Sequence, residues 1–156
     1  QGVMLATGPT ALFASVEADL ARMTGRLQYL GERTDLAAID KLLGNAMIIG
    51  VCAVMADVLT LARACGVDAV DAVDLLGSLD MNAMVARRGT SMASGDFSPN
   101  FELVMARKDV RLMLETSGDL PMATLAAIAS RMDRLIAAGH GAEDFSVLAI
   151  DAVRRA

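Results

Sequence analysis

Two lysine-centred clusters hold the residues whose types and spacing could do chemistry. Lys41 and Asn45 stand one helical turn apart and share a face, with Gly44 beside them. An ammonium can stabilise negative charge developing on an oxygen and can hand over a proton. An amide offers a donor and acceptors without net charge, so it can fix a hydroxyl without competing for that proton. Gly44 reads equally well as room for a ligand or as a close helix contact. A lone cation at the mouth of an apolar helix is either a solvated helix end or a working site, and the spacing alone favours the first. The second cluster is Lys108-Asp109, with Phe101 upstream. As residues alone these are a solvated ion pair or a helix-surface charge.

The element that must position Lys41 and Asn45 is the stretch IDKLLGNAMIIGVCAVMADVLTLARACG, residues 39 to 66. It reads as one long, mostly buried helix, in which the next charge after Lys41 is Asp57. Thr34 is a reasonable N-cap and Gly66 a stop. Upstream, Gly2 to Thr7 and Leu27 to Leu30 read as short strands around a helix from Thr10 to Met23. Two short strands make no stable sheet alone, so they are expected to be the tail of a larger sheet, and the chain a fragment. Downstream, helices are expected from Ala69 to Leu76, capped by Asp68, and from Asp80 to Met92. After the loop SGDFSPN come helices from Phe101 to Thr116, Leu120 to Ala138 and Phe145 to Arg154. The fold expected is mostly α: a bundle of about seven helices around one long central helix, with a strand–helix–strand remnant at the N-terminus.

Composition supports a helical core. Hydrophobic residues make up 54% of the 156 residues but aromatics only 3%, and there are eleven methionines, read as core filling. The net charge is −5 with interspersed signs, so no basic stripe points to nucleic acid. Cys52 and Cys65 fall along the long helix, roughly 20 Å apart, too far for a mutual disulfide. They read as buried thiols of a reducing compartment, and the expected location is cytoplasmic. With His140 the single histidine, exposed in a Gly-rich turn, no metal site is expected. The uncharged run Leu42 to Ala56 is shorter than the about 20 residues of a membrane span, and QGVMLATGP carries no basic signal region. No membrane association is expected.

Three blocks in order resemble the C-terminal half of the β-hydroxyacid dehydrogenase family, of which 3-hydroxyisobutyrate dehydrogenase is the best-known member. KLLGN, Lys41 to Asn45, resembles the family's Lys-x-x-x-Asn helix. GDFSPNFELVMARKDVRLM, Gly95 to Met113, carries Phe101 and Lys108-Asp109. Leu120-Pro121 is followed by GHGAEDFSVL, Gly139 to Leu148. The resemblance implies residues 1–33 as the tail of a dinucleotide-binding domain and residues 34–156 as a helical catalytic and dimerisation domain. It implies NAD or NADP as cofactor, held mainly by an N-terminal domain whose GxGxxG loop does not occur here. The chain alone is then expected to be inactive. Lys41 would be the general acid/base, with Asn45 and Gly44 at the substrate, a 3-hydroxy acid or semialdehyde. Lys108, Phe101 and Asp109 would lie at the cofactor. A homodimer or homotetramer is implied, with no nucleic-acid partner.

Departures narrow the reading. The family's Gly-rich segment before the lysine is GERTDLAAID here, with Gly31 alone. The 6-phosphogluconate dehydrogenases carry a glutamate where this chain has Ile48. Imine reductases commonly replace the lysine, often by Asp, so Lys41 argues against them, although Asp40 stands next door. An imine reductase-like member or a non-catalytic helical dimerisation module are the alternatives.

Overall fold

The computed structural model describes residues 2–153. It is a mostly helical chain with a small parallel sheet at its N-terminal end. The elements are β1 (Val3–Ala6), α1 (Thr10–Arg22), β2 (Arg26–Tyr29), α2 (Leu36–Ala64), α3 (Ala69–Leu76), α4 (Met81–Ser94), α5 (Leu103–Ser117), α6 (Ala123–Leu135) and α7 (Ile150–Val153). A π-type turn, Ile136–His140, closes α6, and a 3-10 turn, Phe145–Ala149, leads into α7. Arg154, placed in the last helix on sequence, lies outside the described residues. The chain divides into two compact units, Gln1–Cys52 and Ala53–Ala156.

In the first unit β1 and β2 pair in parallel, Val3 opposite Arg26 and Ala6 opposite Tyr29, with α1 as the crossover. Pro9 sets the helix entry, since its missing N–H and fixed φ suit a first turn. Tyr29 locks the crossover to the sheet. Its ring stacks on Phe13 with centroids 4.2 Å apart, and its hydroxyl donates to the Gly8 carbonyl at 2.6 Å. Thr34 does not cap α2. The helix begins at Leu36, and the Thr34 carbonyl instead accepts from the Thr7 hydroxyl at 2.9 Å. Asp35, directly before the helix, is engaged by the Arg33 guanidinium at 2.7 and 2.9 Å.

The second unit holds the buried core. Leu103, Ala106 and Val110 of α5 meet Ala129, Met132 and Leu135 of α6, and Val147 and Ile150 close the cluster. α5 has no side-chain cap. Its first free N–H groups, on Leu103 and Val104, donate to the carbonyls of Glu143 and Gly141 at 2.8 and 3.1 Å. That approach requires glycine at 141, where an added Cβ would sit 2.9 Å from Val104 Cγ1. α6 also lacks a cap of its own. A carboxylate from α2 supplies one: Asp57, 4% exposed, accepts from the Leu125 N–H at 2.6 Å.

Five expectations need correction. Among the described residues α2 is not a buried helix: Leu42, Leu43, Ile48 and Ile49 are each more than 60% exposed, with no described segment over them. At 29 residues α2 is, by length and composition, long and apolar enough to cross a membrane, the charged residues flanking Leu42–Ala56 being few. Cys52 is exposed, and Cys65 lies one residue past the helix and is exposed too. His140 is not a freely exposed side chain. It is 15% exposed, and its Nδ1 lies 2.9 Å from Glu143 Oε1. The methionines also divide, with Met122 and Met132 buried and Met47, Met81 and Met84 exposed.

The tightest polar knot of the second unit is Asp144. Its carboxylate accepts from Ser146 N–H at 2.9 Å, Phe101 N–H at 3.0 Å and Asn100 N–H at 3.3 Å, and from Arg88 at 2.9 Å. Burial alone would raise its pKa, but these backbone N–H groups, with the Ser146 hydroxyl beside them, lower it from 3.8 to about 2. A depressed carboxyl stabilises the fold above its unfolded pKa and loses that contribution as pH falls through its folded one. We expect Asp144→Asn to cost roughly 2 kcal/mol at pH 7. Urea midpoints of the wild type should fall between pH 4 and 2, while those of Asp144→Asn fall less. Parallel pH profiles would contradict this assignment.

Candidate functional site

Lys41, Gly44 and Asn45 occupy the first turns of α2 within the first unit. The 3.6-residue period places all three on one face, and all are exposed. Among the described residues neither Lys41 nor Asn45 has a side-chain hydrogen-bond or ion-pair partner. A Cβ built on Gly44 meets nothing within 4 Å. Among the described residues, then, Gly44 makes no close helix contact, and the face of Lys41 and Asn45 is uncovered. Asp40 is exposed as well, but it is rotated about 100° from Lys41 around the helix axis and so away from Asn45.

Phe101, Lys108 and Asp109 belong to the second unit. Lys108 Nζ lies 3.7 Å from Asp109 Oδ1, with the two side chains 47% and 44% exposed. That is a loose, solvated pair that leaves the ammonium donors available. Lys108 points away from the α5 face that buries Leu103, Ala106 and Val110. Phe101 is 37% exposed and meets Phe145 edge-on at 5.6 Å. Its backbone is fixed at both ends, its N–H donating to Asp144 and its carbonyl accepting from Phe145 N–H at 2.9 Å. The Arg88 guanidinium lies 4.0 Å over the Phe145 ring and joins this knot. The two sequence-predicted groups thus fall in separate units, Lys41, Gly44 and Asn45 in one and Phe101, Lys108 and Asp109 in the other. Among the described residues no group of acidic, histidine or cysteine side chains could hold a metal ion.

Sequence reasoning passed over three residues that matter here: Asp57, Arg88 and Asp144. For Asp57 a signal was present. It is the first charge after Lys41 in an otherwise apolar stretch, and an isolated carboxylate in such a run is retained where it has a partner. Asp144 also carried one, since Asp just before a short helix favours capping. For Arg88 nothing in local sequence marks its ion pair with a residue so distant in the chain.

A family model for the NAD-binding part of NADP-dependent 3-hydroxyisobutyrate dehydrogenase matches residues 37–150. The fold is similar to that of a reductive aminase from Aspergillus terreus solved with NADPH4, cyclohexanone and allyl amine: 24% identity, 97% of this chain and 54% of that one covered, TM-score 0.83. An imine reductase from Pseudomonas sp. aligns at 21% identity over 97% of this chain and 54% of its own, with a TM-score of 0.78. An imine reductase from Myxococcus stipitatus in complex with NADP+ aligns at 22% identity over 95% and 54%, with a TM-score of 0.81. At these identities the likeness is one of fold. The chain spans about half the length of the solved structures it matches. No curated protein matches it.

Structural and functional residues should separate on stability. Lys41 has no partner among the described residues, so Lys41→Ala is expected to shift unfolding free energy by less than about 0.5 kcal/mol. Asp57→Ala removes the α6 cap and strands a backbone N–H, and should cost about 1–2 kcal/mol. Urea denaturation of both variants decides it, and a large loss in Lys41→Ala would make that residue structural.

Proposed function

The chain belongs to the NAD-binding family of NADP-dependent 3-hydroxyisobutyrate dehydrogenase, and we propose that it works as the C-terminal part of an NAD(P)-dependent oxidoreductase acting on a 3-hydroxy acid or semialdehyde. The observation that carries the reading is the open face of α2, where Lys41 and Asn45 stand together beside a glycine with free space, inside the matched region. Bound NAD or NADP would supply or accept the hydride. As a carbonyl is reduced, negative charge grows on its oxygen. The Lys41 ammonium stabilises that charge and delivers the proton, and in the oxidative direction it takes the hydroxyl proton back. Asn45, one turn on, holds a substrate hydroxyl or carboxylate by donation without competing for the proton. Lys108, only loosely held by Asp109, fits an anionic or hydroxyl-rich part of the cofactor, with Phe101 and Asp109 shaping its surroundings.

The likeness of fold to imine reductases supports a second reading in which an imine replaces the carbonyl. Asp40, rotated away from Asn45, fits that role less well than Lys41. Assaying the protein together with a dinucleotide-binding domain, against 3-hydroxy acids and cyclic imines in parallel, separates the two. Lys41→Ala should lower kcat by about 10² to 10⁴ while leaving the cofactor Kd in place. Lys108→Ala should do the reverse. Near-normal kcat in Lys41→Ala would remove Lys41 as the site of proton transfer.

The uncovered apolar face of α2 supports self-association. Leu43, Met47 and Val51 are exposed in the first unit, and Val54, Val70, Leu75, Met84 and Val85 are exposed in the second. Exposed apolar side chains of this kind support an interface, and a second copy of the chain is the occupant we propose, as a homodimer or homotetramer. Sedimentation equilibrium at micromolar concentration should show species of at least twice 16.3 kDa. Monomer alone would contradict it.

A further inference from the structure

We propose that Arg88 is a positioning residue for the cofactor side of the site: it fixes Phe101 and does not itself meet a ligand. The inference rests on the reading that places Phe101 in the cofactor's surroundings. Phe101 stands in the loop before α5 and not on a helix, so its place depends on what grips that loop. Its N–H donates to Asp144 Oδ2 at 3.0 Å, and its carbonyl accepts from Phe145 N–H at 2.9 Å. Its ring stands edge-on to the Phe145 ring, with centroids 5.6 Å apart and planes at 81°. Arg88, on α4, reaches two of these three holds. Its Nη1 donates to Asp144 Oδ1 at 2.9 Å, and its guanidinium carbon lies 4.0 Å from the centroid of the Phe145 ring. One planar group thus fixes both the carboxylate that holds the Phe101 backbone and the ring that holds the Phe101 ring. All four residues lie in the second unit.

The way the carboxylate is shared supports this role. Oδ1 accepts from Arg88 and Ser146 N–H, which leaves Oδ2 for the N–H groups of Asn100 and Phe101. The terminal torsion of an aspartate is broad, and a charge-assisted bond to one oxygen narrows it. The Arg88 and Asp144 side chains are only 18% and 6% exposed, so water does little to loosen the pair. A guanidinium is flat, so it can lie over an aromatic face while its edge donates to a carboxylate; an ammonium is a point donor and cannot do both in this geometry. Phe101 keeps more than a third of its surface exposed. A ring held along one edge and open elsewhere can pack on a ligand with little further loss of freedom.

The test is a double-mutant cycle on cofactor affinity, read by titrating NADH and NADPH into the full chain assayed together with a dinucleotide-binding domain. Phe101→Ala should weaken binding of the preferred cofactor about tenfold. Arg88→Ala should weaken it about three- to tenfold. In the Phe101→Ala background the same Arg88 change should cost less than about twofold, because the two residues act as one unit. Arg88→Lys keeps the ion pair with Asp144. Its urea midpoint should stay near that of the wild type while its cofactor affinity falls nearly as far as in Arg88→Ala, and it takes the place of Arg88→Ala in the cycle if that variant does not fold. Arg111→Ala, whose guanidinium pairs with Glu115 on α5, should leave affinity unchanged. Unchanged affinity in Phe101→Ala would remove Phe101 from the cofactor's surroundings, and the underlying reading of that residue would fall together with this proposal. A weakened Phe101→Ala with wild-type affinity in Arg88→Lys, or an Arg88 loss of equal size with and without Phe101, overturns the positioning role alone.

Discussion

The constraint behind this structure is the apolar surface of α2. A 29-residue helix whose Leu42, Leu43, Ile48 and Ile49 lie in the open cannot be left so in water. Each exposed apolar Å² costs about 25 cal/mol relative to burial, and the described residues provide no cover for these side chains. The catalytic reading depends on the same fact. Lys41 and Asn45 stand at the polar entrance of that helix, where an ammonium can stay hydrated until a ligand reaches it. A buried α2 would have enclosed them.

What holds the other unit together is different in kind. Its core is built from side chains of modest size, Leu103, Val110, Met132 and Val147 among them, and its helix starts are satisfied from a distance. α6 is capped by Asp57 and α5 by the carbonyls of the 141–143 turn. Asp144 binds the loop before α5, the 3-10 turn and α4 through a single carboxylate. The motif GDFSPNF and the later GHGAEDFS, which look unrelated in the sequence, are two halves of this one knot: Phe97 O accepts from Asp144 N–H, and Phe101 O from Phe145 N–H.

Much of this was legible before any coordinates. The 3.6-residue period and the glycine and proline stops located β1, α1, β2 and α3 to within a residue or so, because those signals are local. Asp68 was read as a cap and is one, accepting from Val70 N–H at 2.8 Å. Burial was misread for α2, since an apolar run reports that a surface needs cover and not which molecule covers it. Thr34 is not the cap because the helix begins at Leu36, which leaves Asp35 at the cap position, its carbonyl accepting from Ile39 N–H at 3.0 Å. The Asp57, Arg88 and Asp144 contacts join residues far apart in the chain, which periodicity does not encode. Of the candidate site, the shared face of Lys41, Gly44 and Asn45 followed from spacing alone, whereas their roles came through the family resemblance.

The central claim is that Lys41 transfers a proton and does not merely supply positive charge. Arginine tests it directly, because a guanidinium keeps the charge but stays protonated at any working pH. The measurement is kcat of Lys41→Arg in the protein assayed together with a dinucleotide-binding domain, with cofactor binding shown to be intact. A loss of about 10² to 10⁴, as large as that of Lys41→Ala, is the result this account predicts. Near-normal kcat in Lys41→Arg would contradict it.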